Sequence, residues 1–168
     1  MRDRLTLKLG RGKKSMNPML KDVDIHQKYY REIFRVLEDE PYAKFLGLKL
    51  VDLGEGTAVA EIQVKEHMLN SHKTVHGAII FSLADYVFAA ASNSYGKTAV
   101  GLSTNVNFIA PGFLGDVLRA TAVEEKRNNK VGFYRISVES RGELLATMDA
   151  IVYRKQQYYI EVAEADQN

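Results

Sequence analysis

Hydrophobic residues recur at helical spacing in two places along the chain. In residues 23–45, Tyr29, Ile33 and Leu37 lie on one face of a predicted helix, together with Tyr30 and Phe34. Pro41 is expected to end or kink this helix. A second helix is predicted from 75 to 91, where almost every side chain is apolar.

The remaining segments alternate between apolar and polar residues, as strands do. Residues 47–64 predict a hairpin that turns at the sequence GEG, and four longer strands follow at 98–110, 116–127, 131–140 and 143–155. Asn128 and Asn129 join two of these strands, and Asn tolerates the positive φ of a tight hairpin. Arg141 and Gly142 join the last two.

This order of elements predicts an α+β fold. A helix that is apolar on nearly all sides must be covered on most of them. A strongly bent antiparallel β-sheet wrapped around one long central helix meets that need, and an extra N-terminal helix precedes it. The open edge of such a sheet favours pairing with a second copy of the chain.

Length and charge divide the chain into three parts. Its 168 residues suffice for one domain. Residues 1–21 form a basic, flexible N-terminal arm with a net charge of +6, whereas the rest of the chain carries −4. The single domain is expected at 22–155, and a C-terminal tail at 156–168. The arm's charge suits nucleic acid or anionic lipid, but a solvated tail is the simpler interpretation, and we expect no nucleic acid partner.

Composition also excludes several classes of protein. The chain has no cysteine, which removes disulfides and thiol nucleophiles and fits a reducing, cytoplasmic location. No apolar run has the length of a membrane span. His67, His72 and His76 lie close in sequence, but no carboxylate stands at helical spacing to them, so we expect no metal site.

Four residues around the second helix suggest chemistry in combination. His76 and Gly77 stand at its predicted start, where free backbone N–H groups favour negative charge and glycine permits close approach. Asn70 precedes them and Asp85 interrupts the apolar run. Taken alone, Asp85 can be a paired or capping acid, and Ser103 an ordinary strand serine. Together, amide donors and a carboxylate base are the two parts that hydrolysis of an acyl group requires.

The same region resembles a known family. The motifs are NSHKTVHGA at 70–78, FSLAD at 81–85, ASNS at 91–94 and NFIAPGFLGD at 107–116. They are similar to those of the hotdog-fold acyl-CoA thioesterases, specifically the PaaI-type (phenylacetyl-CoA thioesterase) branch. The resemblance covers residues 45–155. It implies a hotdog fold whose subunits pair edge to edge, with further assembly into tetramers and active sites at the subunit interface.

The resemblance also implies a role for each candidate residue. Asp85 corresponds to the acid that activates water, while Asn70 and the Gly77 amide correspond to the groups that polarise the thioester carbonyl. His76 belongs to the same motif and is expected to brace the loop. Ser103 corresponds to a hydroxyl that helps to hold the water. Coenzyme A is then part of the substrate, and no cofactor is expected.

The chain departs from the family motif at one position, and two alternative functions remain open. Ala78 replaces the second glycine of the family's HisGlyGly, which bears on substrate preference. A hotdog hydratase or dehydratase would use another arrangement of His and carboxylate, and a non-catalytic acyl-CoA sensor would need a DNA-binding module that residues 1–44 hardly accommodate.

Gly77 and Asp85 are eight residues apart, about 12 Å along a helix, so one thioester is expected to contact them on two different chains.

Overall fold

A computed structural model describes residues 18–167 of the chain. Helix α1 spans Pro18–Glu38 and α2 spans Pro41–Leu46. The break falls at Pro41, as the sequence predicts, because the proline ring cannot continue α1. Gly47 closes α2 with φ of 80°, and its amide donates to the Ala43 carbonyl oxygen at 2.9 Å. Residues 1–17 of the basic arm 1–21 lie outside the described residues.

The long α1 carries its apolar side chains on one face and bends once. Ile25 and Ile33 are buried two turns apart against the rest of the domain. Tyr29, between them, has φ of −109° and ψ of 17°, which breaks the regular helix. Helix α1 nevertheless continues past Tyr29 to Glu38, and it begins five residues earlier than the predicted start at residue 23.

Six strands form one antiparallel sheet. They are β1 (Lys49–Gly54), β2 (Thr57–Gln63), β3 (Lys97–Phe108), β4 (Val117–Arg127), β5 (Val131–Ser140) and β6 (Glu143–Tyr158). Their order in the sheet is β1-β2-β4-β5-β6-β3. Each strand lies within three residues of its predicted boundary, because alternation of apolar and polar residues marks a sheet with one buried face.

One hairpin turn differs from its prediction. Asn128 and Asn129 do not adopt positive φ. Instead the Asn128 side-chain Oδ1 accepts the amides of Lys130 and Val131 at 2.8 and 2.9 Å. The asparagine therefore makes the turn with its side chain rather than with a left-handed backbone.

The central helix α3, Gly77–Asn93, packs against the sheet, chiefly on β2, β4 and β5. It begins and ends two residues later than predicted. Its buried residues include Ile80, Leu83, Val87 and Ala91, which follow one another at helical spacing. This arrangement confirms the α+β hotdog architecture with its additional N-terminal helix.

The predicted C-terminal tail packs against the rest of the domain as far as residue 167. Strand β6 continues to Tyr158, the side chains of Ile160 and Val162 are buried, and a short helix α4 covers Glu164–Gln167. The Lys28 ammonium and the Tyr29 hydroxyl donate to the Asp166 carboxylate at 2.6 and 2.7 Å, which joins this end to α1. None of the described helices combines the length and apolar character needed to cross a membrane.

Candidate active site

The loop before α3 is held in place by backbone hydrogen bonds. The Val75 amide donates to Gly112 O at 2.9 Å, and the His76 amide donates to Met68 O at 2.8 Å. His76 is the N-cap residue, and its Nδ1 accepts the Ala78 amide at 3.0 Å. The expected bracing role of His76 therefore takes the form of a helix cap.

The Gly77 amide points out of the first turn of α3. As the first helical residue, Gly77 has no partner within the helix, and no acceptor for its N–H occurs among residues 18–167. A Cβ built on Gly77 would lie 3.2 Å from Cζ of Phe108. Asn70, Gly77, Ile80 and Phe108 share a shallow, open pocket in front of the helix. A free amide at a helix N-terminus can hold the oxygen of a polarised carbonyl.

Asn70 first of all shapes its own loop. Its Oδ1 accepts the amides of His72 and Thr74 at 2.8 and 3.2 Å, and its Nδ2 donates to Thr74 Oγ1 at 2.8 Å. This bracing fixes a turn in which Lys73 has φ of 63°. The Asn70 amide nitrogen has a second hydrogen, which is available for a ligand in the pocket that it shares with Gly77.

Asp85 lies two turns further along α3, on its open side. The sequence indicated an acid within a helix that is covered on most sides. In the single chain, however, Asp85 and Ala78 are exposed, and Phe81 and Ser82 are only half-buried. The surrounding protein still desolvates the carboxyl group, and this burial raises the pKa of Asp85 above the usual value of an aspartate. A base with a raised pKa is better matched to neutral pH.

Ser103 lies on β3, the strand at the open edge of the sheet. Pairing with β6 shifts register between Gly101 and Ser103, so Leu102 is an extra residue at a bulge. Ser103 is exposed, and its hydroxyl makes no hydrogen bond within the described part of the chain. The structure thus brings Asn70 and Gly77 to one pocket, and it places Asp85 and Ser103 elsewhere on the exposed surface of α3 and β3.

Two nearby residues were not found from the sequence. Phe108 covers Gly77 from β3. Glu40, at the N-cap of α2, comes close enough to Asp85 for the two negative charges to interact. Phe108 lies within the motif at 107–116 but had no role assigned from the sequence, and Glu40 has no local sequence signal, because each reaches the site through tertiary packing.

His67, His72 and His76 were considered as possible metal ligands in the sequence. Within the described residues, no three His, Asp or Glu side chains lie together in a group that could hold a metal ion.

Comparison with known proteins agrees with this geometry. Residues 72–147 match the Thioesterase superfamily. The chain is 39% identical to the acyl-coenzyme A thioesterase PaaI of Escherichia coli over 111 residues, which are 66% of this chain and 79% of that protein. It is 25% identical over 122 residues to human acyl-coenzyme A thioesterase 13, covering 69% of this chain and 87% of that protein.

Solved structures show the same relationship. The E. coli PaaI protein from the phenylacetic acid degradation operon superposes with a TM-score of 0.74 at 34% identity, covering 78% of this chain and 96% of that one. A variant of the phenylacetic acid degradation protein PaaI of Thermus thermophilus gives a TM-score of 0.67 at 37% identity, covering 69% of this chain and 100% of that one.

The fold, the site and these relatives define a hydrolase, and the chain belongs to the thioesterase superfamily. Within that superfamily it is an acyl-CoA thioesterase of the PaaI type. The predictions of fold, family and reaction are confirmed. Hydrolysis is thereby favoured over hydration and over non-catalytic sensing. The roles of the individual site residues stay predictions.

Proposed function

We propose that the enzyme hydrolyses aryl-acyl-CoA thioesters, of which phenylacetyl-CoA is the model substrate, with Asp85 as the general base. The observation that carries this proposal is that one helix bears both a free amide over a pocket, at Gly77, and an unpaired carboxylate on its open side, at Asp85. Asp85 takes a proton from water, and the water oxygen attacks the carbonyl carbon.

The other half of the site stabilises the charge that develops on the carbonyl oxygen. The Gly77 amide and the remaining hydrogen on Asn70 Nδ2 donate to that oxygen. The tetrahedral intermediate then breaks its C–S bond, which releases the free acid and the thiolate of coenzyme A. Ser103 helps to hold the attacking water, and His76 keeps the helix end in place. No cofactor takes part, since coenzyme A is carried by the substrate.

The complete site requires two copies of the chain. Gly77 and Asp85 are separated by about 12 Å along α3. A dimer formed along the open edge of β3 can set two α3 helices side by side and antiparallel, with the Gly77 end of one copy near Asp85 of the other. Support comes from the exposed side chains of β3, including Val100, Leu102 and Phe108, which a second copy would cover.

Two such dimers are further proposed to form a tetramer, and the enzyme is proposed to work in the cytoplasm, where a chain without cysteine loses nothing to the reducing conditions.

The test is a hydrolysis screen over aryl, short-chain and long-chain acyl-CoAs with a thiol reagent. Because the chain has no cysteine, the reagent reports only released coenzyme A. We expect Asp85→Asn to lower kcat by roughly 10²–10⁴, the range for loss of general acid–base catalysis. Asp52→Asn is the matched control, since Asp52 is an exposed aspartate on β1. If Asp85→Asn kept most of the activity, Asp85 would have no part in the mechanism.

A further inference from the structure

The side chain of Phe108 forms one wall of the pocket at the start of α3. Phe108 is the last residue of β3, and the outer end of its ring points at Gly77. A Cβ built on Gly77 would lie 3.2, 3.4 and 3.7 Å from the ring atoms Cζ, Cε1 and Cε2. The Phe108 side chain nevertheless remains 55% exposed, and so does that of Ile109 beside it. Exposed apolar side chains that share a pocket mark a surface for a bound molecule.

This wall keeps a fixed distance from the start of α3. Directly after Phe108, the Ile109 amide donates to a carbonyl oxygen of β6 at 2.8 Å, which fastens the end of β3 to the sheet. Further along the same segment, Gly112 O accepts the Val75 amide at 2.9 Å, two residues before α3 begins. The wall and the helix start therefore belong to one hydrogen-bonded backbone, and a group bound between them is held in a defined orientation.

The chemistry of the pocket indicates which part of an acyl-CoA fits there. Of the described residues that line it, Asn70 alone has a polar side chain and none is charged. The phosphates of coenzyme A favour cationic partners, and its pantetheine amides need hydrogen-bond partners, so neither matches this wall. An apolar acyl substituent can bury its surface here without leaving a polar group unpaired. A flat aryl ring can in addition pack on the ring of Phe108.

We propose that Phe108 is a specificity-determining residue that contacts the aryl group of the substrate while the Gly77 amide holds the thioester oxygen. This inference rests on the proposed function, because it takes Gly77 as the site of the carbonyl group. Aromatic rings attract each other at centroid separations of about 4.5–7 Å, which the single CH₂ between ring and carbonyl of phenylacetyl-CoA allows. In the proposed dimer, the second copy covers the outer side of Phe108 and encloses the aryl group.

The experiment measures kcat and KM of full-length wild type, Phe108→Leu and Phe113→Leu with phenylacetyl-CoA and with acetyl-CoA. Leucine keeps an apolar side chain at position 108 but removes the ring. Phe113 is the matched control, since it is a phenylalanine of similar exposure, 51%, that does not line the pocket. Competition against phenylacetyl-CoA hydrolysis gives the affinity for acetyl-CoA where its turnover is slow. Phe108→Met, a second variant without the ring, serves if Phe108→Leu is unstable.

The expected result is a loss that depends on the acyl group. For Phe108→Leu, kcat/KM with phenylacetyl-CoA should fall roughly three- to tenfold, the value of one aromatic pair, mainly through a higher KM. With acetyl-CoA, which has no aryl group to contact the ring, kcat/KM should stay within about twofold of wild type. Phe113→Leu should match wild type with both substrates.

Three results would overturn the role of Phe108. An equal loss with both substrates means that the ring supports the fold or contacts the coenzyme A part. Unchanged kinetics with both means that it does not contact the substrate. A smaller assembly in gel filtration means that Phe108 serves the dimer instead. Thermal unfolding of each variant shows that the compared proteins are folded.

The proposed function is tested separately by Asp85→Asn. If that variant keeps most of the activity, Asp85 is not the base, whereas a selective loss in Phe108→Leu still places the aryl group at Phe108. If Asp85→Asn is inactive and Phe108→Leu loses both substrates equally, only the role of Phe108 is overturned. If wild type hydrolyses no aryl-acyl-CoA, the proposed function and this inference fail together.

Discussion

Mixing two inactive variants tests whether each active site is shared between two copies of the chain. One parent is Asp85→Asn, which removes the base. The other is Asn70→Asp, which replaces the amide donor by an acceptor. We choose Asp rather than Ala at position 70 because the Asn70 Oδ1 holds the amides of His72 and Thr74. A carboxylate keeps those two bonds, so the loop before α3 stays in place.

The expected recovery follows from the length of α3. Gly77 and Asp85 are about 12 Å apart along the helix axis. A carbonyl oxygen needs its donor at about 3 Å, and a base reaches the attacking water at about 3 Å, so both groups should lie within roughly 9 Å of each other. One chain cannot meet this limit. With random pairing, half of the dimers are hybrids and each hybrid has one intact site, so about a quarter of wild-type activity should return.

The assay unfolds the two variants together, refolds them at equal concentration and measures thiol release. Each parent treated alone provides the background, and refolded wild type defines full recovery. Distinct affinity tags on the two parents show how many hybrids have formed. If hybrids form and the mixture stays as inactive as its parents, each site lies within one chain and the distance argument is wrong.

Three further variants probe the site and its support. Because burial raises the pKa of Asp85, its ionisation opposes folding, so Asp85→Asn should raise Tm at pH 7. The difference should vanish below the ordinary pKa of an aspartate, and a lower Tm at pH 7 would contradict the argument. Asp22 is buried, with Lys97 at 2.9 Å and Arg154 at 2.5 Å, so Asp22→Asn should lower the free energy of unfolding by about 3–5 kcal/mol in urea titrations at fixed protein concentration. A loss below about 1 kcal/mol would show that the network does not anchor α1. Ala78→Gly should cost about 0.5–1 kcal/mol of stability and widen the approach to Gly77, so the ratio of kcat/KM for bulky over small acyl groups should rise. If this ratio does not change, Ala78 has no influence on substrate preference.

Local pattern was enough to predict most of the fold. The apolar run of α3 and the alternation in β2 and β4–β6 are short-range signals, because the hydrophobic repeat of a helix or a strand is visible within a few residues of sequence. Where a side chain replaced the backbone in making a turn, the prediction was wrong, as at Asn128. The N-terminal boundary of α1 was also missed, since the predicted helix began at residue 23 and α1 begins at Pro18.

The candidate site was predictable in part for the same reason. Asn70, His76 and Gly77 belong to one loop and helix start, so their proximity is a local property of the chain. The helix cap formed by His76 and the loop bracing by Asn70 needed the structure, because they depend on which side-chain atoms face the backbone amides. The sequence supplied residue types and spacing but no hydrogen-bond partners.

Contacts between distant segments were decided by tertiary structure alone. The α1–α2 junction meets α3 through two hydrogen bonds, one between the hydroxyls of Tyr42 and Ser82 and one from the Tyr86 hydroxyl to the Leu37 carbonyl oxygen. Asp22 on α1 accepts a hydrogen bond from Arg154 on β6, although the two residues are 132 positions apart in the sequence. Periodicity carries no information about such pairs, since it repeats within one element and does not state which elements meet.

The open side of α3 shows most clearly which features the sequence determined and which the tertiary structure decided. The sequence determined that α3 is apolar on nearly all sides and must be covered. It did not determine what covers it, because burial against the chain's own sheet and burial against a second copy favour the same residues. The structure shows that the sheet covers one side of α3 and leaves Asp85 exposed on the other.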